Sequence, residues 1–229
     1  MKQKLVVLTG AGISAESGIQ TFRGAGGLWE GYDIMEVASP EGYANNPALV
    51  LDFYNKRRAQ LAEVEPNKAH QLLGELEQYF DVHIITQNVD DLHERGGSTK
   101  VLHLHGELKK VRSEVDETLI KDIGTKAIKL GDKCEKGGQL RPHIVWFGEA
   151  VPAIEEAVAI ASKADIFVVV GTSLEVYPAA SLLNFVEGTV PKYIIDPNIP
   201  NVTGIDNLTK IEAIASKGVA KLWELIADK

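Results

Sequence analysis

Short apolar runs recur along the chain, separated by stretches whose apolar residues repeat at helical spacing. The runs are Leu5–Thr9 (LVVLT), Val82–Thr86 (VHIIT), Val101–Leu104, Ile144–Phe147 (IVWF), Ile166–Gly171 (IFVVVG) and Lys192–Ile195 (KYII). Runs this short and this rich in Val and Ile predict strands covered on both faces, as in a parallel sheet. Between them, Ala69, Leu72, Leu73, Leu76 and Phe80 share one helical face, and Val219, Leu222, Trp223 and Ile226 repeat that spacing near the C-terminus. Pro152 and Pro178 are each placed to open a helix, the first running towards Ser162. The alternation predicts an α/β fold with a doubly wound parallel sheet.

Two stretches break the rhythm. From about Gly24 to Glu65 the patterning is helical without a strand, with Asn46-Pro47 as a helix start. From about Lys109 to Leu140 the chain is charged and Gly-rich with little apolar period. Both read as insertions, so the expected organisation is one domain: a large part over about 1–24, 66–108 and 141–229, and a small lobe from about 25–65 and 109–140.

Composition narrows the class. With 229 residues, 45% hydrophobic and 24% charged, the chain is long enough for a sizeable core and is not a disordered or fibrous type. A net charge of −8 without a basic tract argues against binding nucleic-acid backbone. One cysteine, Cys134, excludes an intramolecular disulfide and a zinc site of several thiolates. No apolar run is long enough to span a membrane, and Met1–Lys4 leads directly into a strand, so the expectation is a soluble, cytoplasmic protein without a targeting segment.

The candidate chemistry sits where strands end. Gly10-Ala11-Gly12-Ile13-Ser14-Ala15 satisfies G-x-G-x-x-A directly after LVVLT, a turn that can bring backbone close to a pyrophosphate. A simple strand-to-helix turn is the other reading. Thr21-Phe22-Arg23 follows, able to close over a bound group or to remain a solvated loop. Thr86-Gln87-Asn88-Val89-Asp90-Asp91-Leu92-His93 places amides and carboxylates at another strand end, for ribose hydroxyls or a carboxamide, or merely for an Asn/Asp turn. Of six histidines, His105 stands out: it ends VLHLH before Gly106, and imidazole there can act as a general base. His103 points to the same face but deeper, as a packed neighbour. His93 and His105 with Asp90 and Asp91 match no metal-ligand spacing. Gly171-Thr172-Ser173 offers hydroxyls after the most apolar strand.

Taken in order, GAGISAESGIQTFRG, TQNVDDLH, LHLHGEL, LRPHIVWFGE and GTSLEVYPAA resemble the sirtuin family of NAD-dependent protein-lysine deacylases, over about Leu5 to Trp223. The resemblance implies a Rossmann-like large part, with NAD between it and the small lobe and an acyl-lysine peptide entering opposite. It implies that Gly10, Ala11, Gly12, Thr21, Phe22, Arg23, Gln87, Asn88, Gly171, Thr172 and Ser173 contact NAD, and that Asp90 holds the nicotinamide carboxamide. Asp196 falls where the family usually has Asn for the adenosine ribose. His105 matches the catalytic base, with Asn88 and Asp90 beside it in the catalytic set. Val145, Phe147, Gly148 and Glu149, with Glu175, Val176 and Tyr177, match the segments that sandwich the substrate backbone by strand addition. NAD is then consumed, and the products are free lysine, nicotinamide and O-acyl-ADP-ribose.

Two finer features follow. Tyr54 and Arg57 form Y-x-x-R on one side of a helix, and Gly24-Ala25-Gly26-Gly27-Leu28-Trp29 follows TFR. Both are similar to the sirtuins that remove succinyl, malonyl and glutaryl groups. Arg57 and Tyr54 can bond a distal carboxylate while small Ala25 leaves room for the longer chain. The alternative is a solvated basic face at Lys56, Arg57 and Arg58. Family members commonly carry two C-x-x-C pairs between HGEL and LRPH; here KKVRSEVDETLIKD and DKCEKGG retain only Cys134. No metal is therefore expected, and Val111, Val115, Leu119, Ile123 and Ile128 are candidates to hold that lobe by packing. Other readings are an ADP-ribosyltransferase on the same NAD site, a nicotinamide-linked oxidoreductase, and a catalytically silent NAD-binding module.

Overall fold

The computed structural model describes residues 2–21, 28–29 and 31–227. The chain opens with β1 (Lys4–Thr9) and a 3-10 helix (Ala11–Ser17), then a hairpin of β2 (Leu28–Trp29) and β3 (Tyr32–Asp33). Helices α1 (Ile34–Val37), α2 (Pro40–Asn45), α3 (Pro47–Gln60) and α4 (Lys68–Glu75) follow, leading to β4 (Asp81–Thr86), α5 (Leu92–Arg95) and β5 (Val101–His103). Next come β6 (Gly106–Ser113), β7 (Ile120–Asp122), β8 (Leu140–Ile144), α6 (Ile154–Ala161) and β9 (Ile166–Val170). The chain closes with a 3-10 helix (Ala179–Phe185), β10 (Lys192–Asp196), β11 (Leu208–Glu212) and α7 (Ala215–Ile226).

Six strands form one sheet, ordered β11-β10-β9-β1-β4-β5, and every pairing in it is parallel. Side chains alternate between its faces. Leu5 and Val7 pack with Leu72, Leu73 and Leu76 on one side and with Val219 and Leu222 of α7. Val6 and Leu8 face Ala157, Ala161, Leu182 and Leu183 on the other. Each of these four β1 residues is 0% exposed, worth roughly 1.5–3 kcal/mol apiece in transfer free energy. The expected doubly wound α/β architecture is the one observed.

A second, three-stranded antiparallel sheet, β7-β6-β8, stands beside α1 to α3. Val37, Val50, Phe53, Tyr54, Leu108, Ile144 and Trp146 share one core there, and Leu51, Val111 and Ile128 another. Helix α3 starts where the sequence places it: Pro47 occupies its first turn and the Asn46 side chain accepts from Leu49 N at 3.2 Å.

Several expected elements differ. The IVWF run is not a strand of the parallel sheet; β8 ends at Ile144 and belongs to the antiparallel one. The Trp146 amide is taken by the Glu149 carboxylate at 2.8 Å, which ends the ladder. The Gly24–Glu65 stretch does contain strands, but the β2–β3 pair has two residues per strand, below the length of any periodic signal. Lys109–Leu140 bears strands, and its apolar period is weak because β6 buries Arg112 and Ser113 as well as Val111, so both of its faces are covered. Val115, expected to pack, is 64% exposed. Strand β11 has no apolar run because an edge strand buries only Ile211.

Candidate active site

The strand order reverses about β1: β4 and β5 lie to one side, β9 to β11 to the other. The crevice at the carboxyl ends of such strands is where ligands bind in open α/β sheets. Gly10 N donates to Val170 O at 3.0 Å and Gly12 N to Gly171 O at 2.8 Å, so the turns after β1 and β9 interlock. A Cβ on Gly10 would stand 2.7 Å from Thr172 Cβ, and one on Gly12 would stand 2.6 Å from Gly171 Cα. Gly171 itself has φ +63°. Glycine is thus required for contact between two backbones. The helix expected after this turn is a seven-residue 3-10 helix ended by Gly18.

Beneath the turn lies a buried polar cluster. Thr9, Ser14, Thr86 and His70 are 0% exposed, and His93 is 1% exposed. Asn88 Nδ2 donates to Gly10 O at 3.2 Å and to Ser14 Oγ at 3.1 Å. Ser14 Oγ donates to Asp90 Oδ2 at 3.1 Å, and Asp90 Oδ1 accepts from Leu92 N. Burial pushes the Asp90 carboxyl up, against the lowering pull of those two bonds. Thr9 Oγ1 reaches Thr86 Oγ1 at 2.8 Å and His93 Nε2 at 3.0 Å, while Thr86 Oγ1 accepts from Asn88 N. Gln87 Nε2 donates to Thr172 Oγ1 at 3.1 Å and bridges β4 to β9. Sequence order thus brings Gly10, Ala11, Gly12, Gln87, Asn88, Asp90, Gly171 and Thr172 to one crevice, with Thr21 and Ser173 on loops that leave it. Asp196 ends β10, where its carboxylate accepts from Asn198 N at 2.8 Å. Phe22, Arg23 and Ala25 lie outside the described residues.

His105 is held by its Nδ1, which donates to Gln87 O at 3.0 Å. That bond leaves Nε2 with the lone pair. Burial lowers the ring's pKa, partly offset by the Gln87 bond, so the imidazole is neutral and able to accept a proton near pH 7.

On the far side, Tyr54 is 0% exposed and Arg57 7%. The Arg57 guanidinium lies 4.2 Å from the Trp29 ring centroid, stacked rather than solvated. Trp146 Nε1 donates to Tyr54 Oη at 3.0 Å, and burial holds the phenol's pKa well above its usual value. Arg58 is also buried, donating to Leu108 O and Asn55 Oδ1, and burial pulls it down to about 10. The Lys56–Arg58 cluster is therefore not a solvated face; only Lys56 is surface, paired with Asp52.

The two expected peptide segments are exposed at Phe147 (40%) and Tyr177 (73%). Val145 N donates to His105 O and Phe147 N to Ala38 O, both at 2.9 Å, which ties this segment to His105 and to the lobe. The Glu149 carboxylate is turned into the lobe. It accepts from Arg141 and Arg112 and from Trp146 N, and these bonds hold its carboxyl below the usual range although burial works the other way. Glu175 and Val176 sit between Ser173 and Tyr177, with Glu175 N donating to Ser173 Oγ at 3.3 Å.

A sequence model described as "Sir2 family" matches residues 10–178. The chain belongs to the Sir2 family. It is 55% identical to an NAD-dependent protein deacylase of Bacteroides thetaiotaomicron, over 98% of both chains. It is 59% identical to one of Helicobacter pylori, over 87% of this chain and 86% of that one. Among solved structures, a Sir2 homologue in complex with NAD is 40% identical over 99% of this chain and 90% of that one, with a TM-score of 0.87. A Sir2 protein with a deacetylated p53 peptide and 3'-O-acetyl-ADP-ribose is 30% identical over 98% of this chain and 94% of that one, with a TM-score of 0.80.

Within this Sir2 site, Ser14 and Trp146 carry no signal of their own in the sequence. Ser14 lies inside the G-x-G-x-x-A turn, but its role as a bridge between Asn88 and Asp90 depends on how β1 and β4 meet. Trp146 sits in the middle of a run that reads simply as apolar. Among the described residues, no three His, Cys, Asp or Glu side chains group as metal ligands, and Cys134 Sγ contacts Ser113 Oγ at 3.1 Å. No described helix is long and apolar enough to cross a membrane.

Proposed function

We propose that this chain is a cytoplasmic NAD-dependent protein-lysine deacylase that removes carboxyl-bearing acyl groups, succinyl and malonyl, as well as acetyl. The observation that carries the finer reading is the Tyr54 hydroxyl. Trp146 Nε1 can only donate, so Tyr54 Oη accepts there, and its own proton has no acceptor among the described residues. That proton, next to a stacked and buried guanidinium, suits a carboxylate at the end of an acyl chain.

The crevice fits NAD. Interlocked glycines present backbone rather than side chain, and Gln87, Asn88, Thr172 and Ser173 supply amides and hydroxyls for ribose and phosphate oxygens. Asp90, anchored through Ser14, is placed for a carboxamide. Bound NAD supplies an electrophilic ribose carbon with nicotinamide as its leaving group. His105 Nε2 takes the proton of a ribose hydroxyl, Asn88 orients the ribose, and the segments Val145–Glu149 and Glu175–Tyr177 hold the peptide main chain. The large part over about 1–24, 66–108 and 141–229 carries NAD, and the lobe from about 25–65 and 109–140 carries the acyl terminus. That lobe is held by Leu51, Val111 and Ile128 rather than by zinc, since one thiol is too few for a structural site.

The test is incubation with NAD and acetyl-lysine or succinyl-lysine peptides, following nicotinamide and O-acyl-ADP-ribose. His105→Ala should abolish deacylation and keep NAD binding; Arg57→Met should lower succinyl turnover and spare acetyl turnover. Nicotinamide release with ADP-ribose left on protein would point to the transferase instead. Stoichiometric zinc in the purified protein would overturn the metal-free lobe.

A further inference from the structure

Two histidines two residues apart grip adjacent carbonyls of the crevice loop. His105 Nδ1 donates to Gln87 O, and His103 Nδ1 donates to Asn88 O, each at 3.0 Å. The difference lies at the other ring nitrogen. His105 Nε2 makes no bond to the described protein, whereas His103 Nε2 meets Glu94 Oε1 at 2.8 Å. A carbonyl oxygen only accepts, so Nδ1 of His103 carries a proton, and a carboxylate only accepts, so Nε2 carries one as well. With both nitrogens donating, the ring is an imidazolium. A protonated Glu94 bonded to a neutral ring would meet the same distances. The surroundings place the proton on His103. Burial disfavours its charge, yet the Glu94 bond and charge and the Asn88 carbonyl outweigh that and raise its pKa. Glu94 in turn is held low by His103 despite its own burial.

We propose that the Glu94–His103 ion pair is a positioning device for the NAD-binding loop, locking the Asn88 carbonyl so that the Asn88 amide and Asp90 keep their aim into the crevice. It rests on the reading of that crevice as the NAD site. The His103 side chain is 8% exposed, but Glu94 is 41% exposed and lines a cavity of about 420 Å³ on the outer side of β5. Solvent therefore reaches the relay from behind the site. The charged and titratable groups that face His103 are Glu94 and His93 on α5, Asp90 on the preceding loop, Glu107 and Lys110 on β6, and His143 on β8, with Asp91 next to Asp90 in the chain. Glu107 and Lys110 are paired with each other, and Asp91 with Lys109 and Arg95; Glu107 and Asp90 act on His103 through charge, and Glu94 is the carboxylate bonded to it.

The sign follows from the donor count. Below its pKa His103 holds both acceptors; above it the neutral ring can keep only one, and the loop loses a tether. NAD affinity should then weaken on the alkaline side.

The experiment measures the NAD dissociation constant by calorimetry from about pH 6 to pH 10, with kcat and KM for NAD and for acyl peptide alongside. Wild type should lose affinity as pH rises. Glu94→Gln should move that loss to lower pH, because the ring no longer has its counterion. His103→Leu should weaken NAD binding by roughly tenfold, raise KM for NAD but not for peptide, and remove the pH dependence. His103→Asn, which keeps one donor, should recover part of the affinity. An alkaline limb unmoved by Glu94→Gln, or no such limb in the wild type, would overturn the proposal. If the protein binds NAD with this pH dependence but deacylates nothing, the functional reading fails while the relay stands. If His103→Leu fails to fold, the Glu94→Gln shift decides.

Discussion

Removing the Tyr54 hydroxyl tests the acyl pocket and its support together. In Tyr54→Phe the ring still fills the core it shares with Phe53 and Trp146, but the buried Trp146 Nε1–H loses its partner at 3.0 Å when no acyl group is bound. A buried donor left unsatisfied costs about 1–3 kcal/mol. For a chain of this length each kcal/mol lowers Tm by about 2–4 °C. The same change removes one hydrogen bond to the distal carboxylate of a succinyl group, so kcat/KM for succinyl-lysine should fall about tenfold to a hundredfold while that for acetyl-lysine stays within about twofold. Trp146→Phe leaves the opposite orphan, an unpaired phenol oxygen, and frees the hydroxyl to rotate. Its succinyl loss should be smaller than that of Tyr54→Phe. In the double variant neither orphan remains, so its stability should lie above the sum of the two single losses. Thermal melts and steady-state kinetics with both peptides read all three variants. Strictly additive stabilities would remove the Trp146–Tyr54 bond from the account, and an unchanged succinyl-to-acetyl ratio in Tyr54→Phe would remove the carboxylate.

Two further outcomes follow from the buried crevice. His70 is fully buried and burial lowers its pKa to about 4 from 6.5, so the unfolded chain takes up the proton first. Its contribution, about 3 kcal/mol, is complete above pH 6.5 and is lost as pH falls toward about 4; His70→Gln should flatten that part of a stability-against-pH curve from urea melts, and an unaltered slope would refute it. Gly12→Ala places a methyl 2.6 Å from Gly171 Cα, so the turns after β1 and β9 must part; about 1–3 kcal/mol of stability should go, with NAD affinity, and wild-type binding in that variant would contradict the interlock.

The α/β class, the parallel sheet and the strand-end sites were legible in sequence because burial on both faces writes itself as unbroken apolar runs. The G-x-G-x-x-A turn, the TQNVDD loop and His105 were legible for a related reason: each follows such a run directly. Elements of the antiparallel sheet were not, because β6 turns Arg112 inward toward Glu149, and an ion pair between residues 37 apart leaves no local pattern. The Tyr54–Arg57 spacing was visible, but whether that helix face was solvated or buried depended on Trp29 and Trp146, brought to it from separate stretches of chain.

Local periodicity thus determined the sheet, and five motif blocks in order determined the family, since both depend on neighbours in sequence. Tertiary structure alone decided charge states and donor directions. His103 and His105 are two residues apart and chemically identical, yet one meets Glu94 and the other does not. The contact with Glu94 raises the pKa of one ring, while burial lowers that of the other.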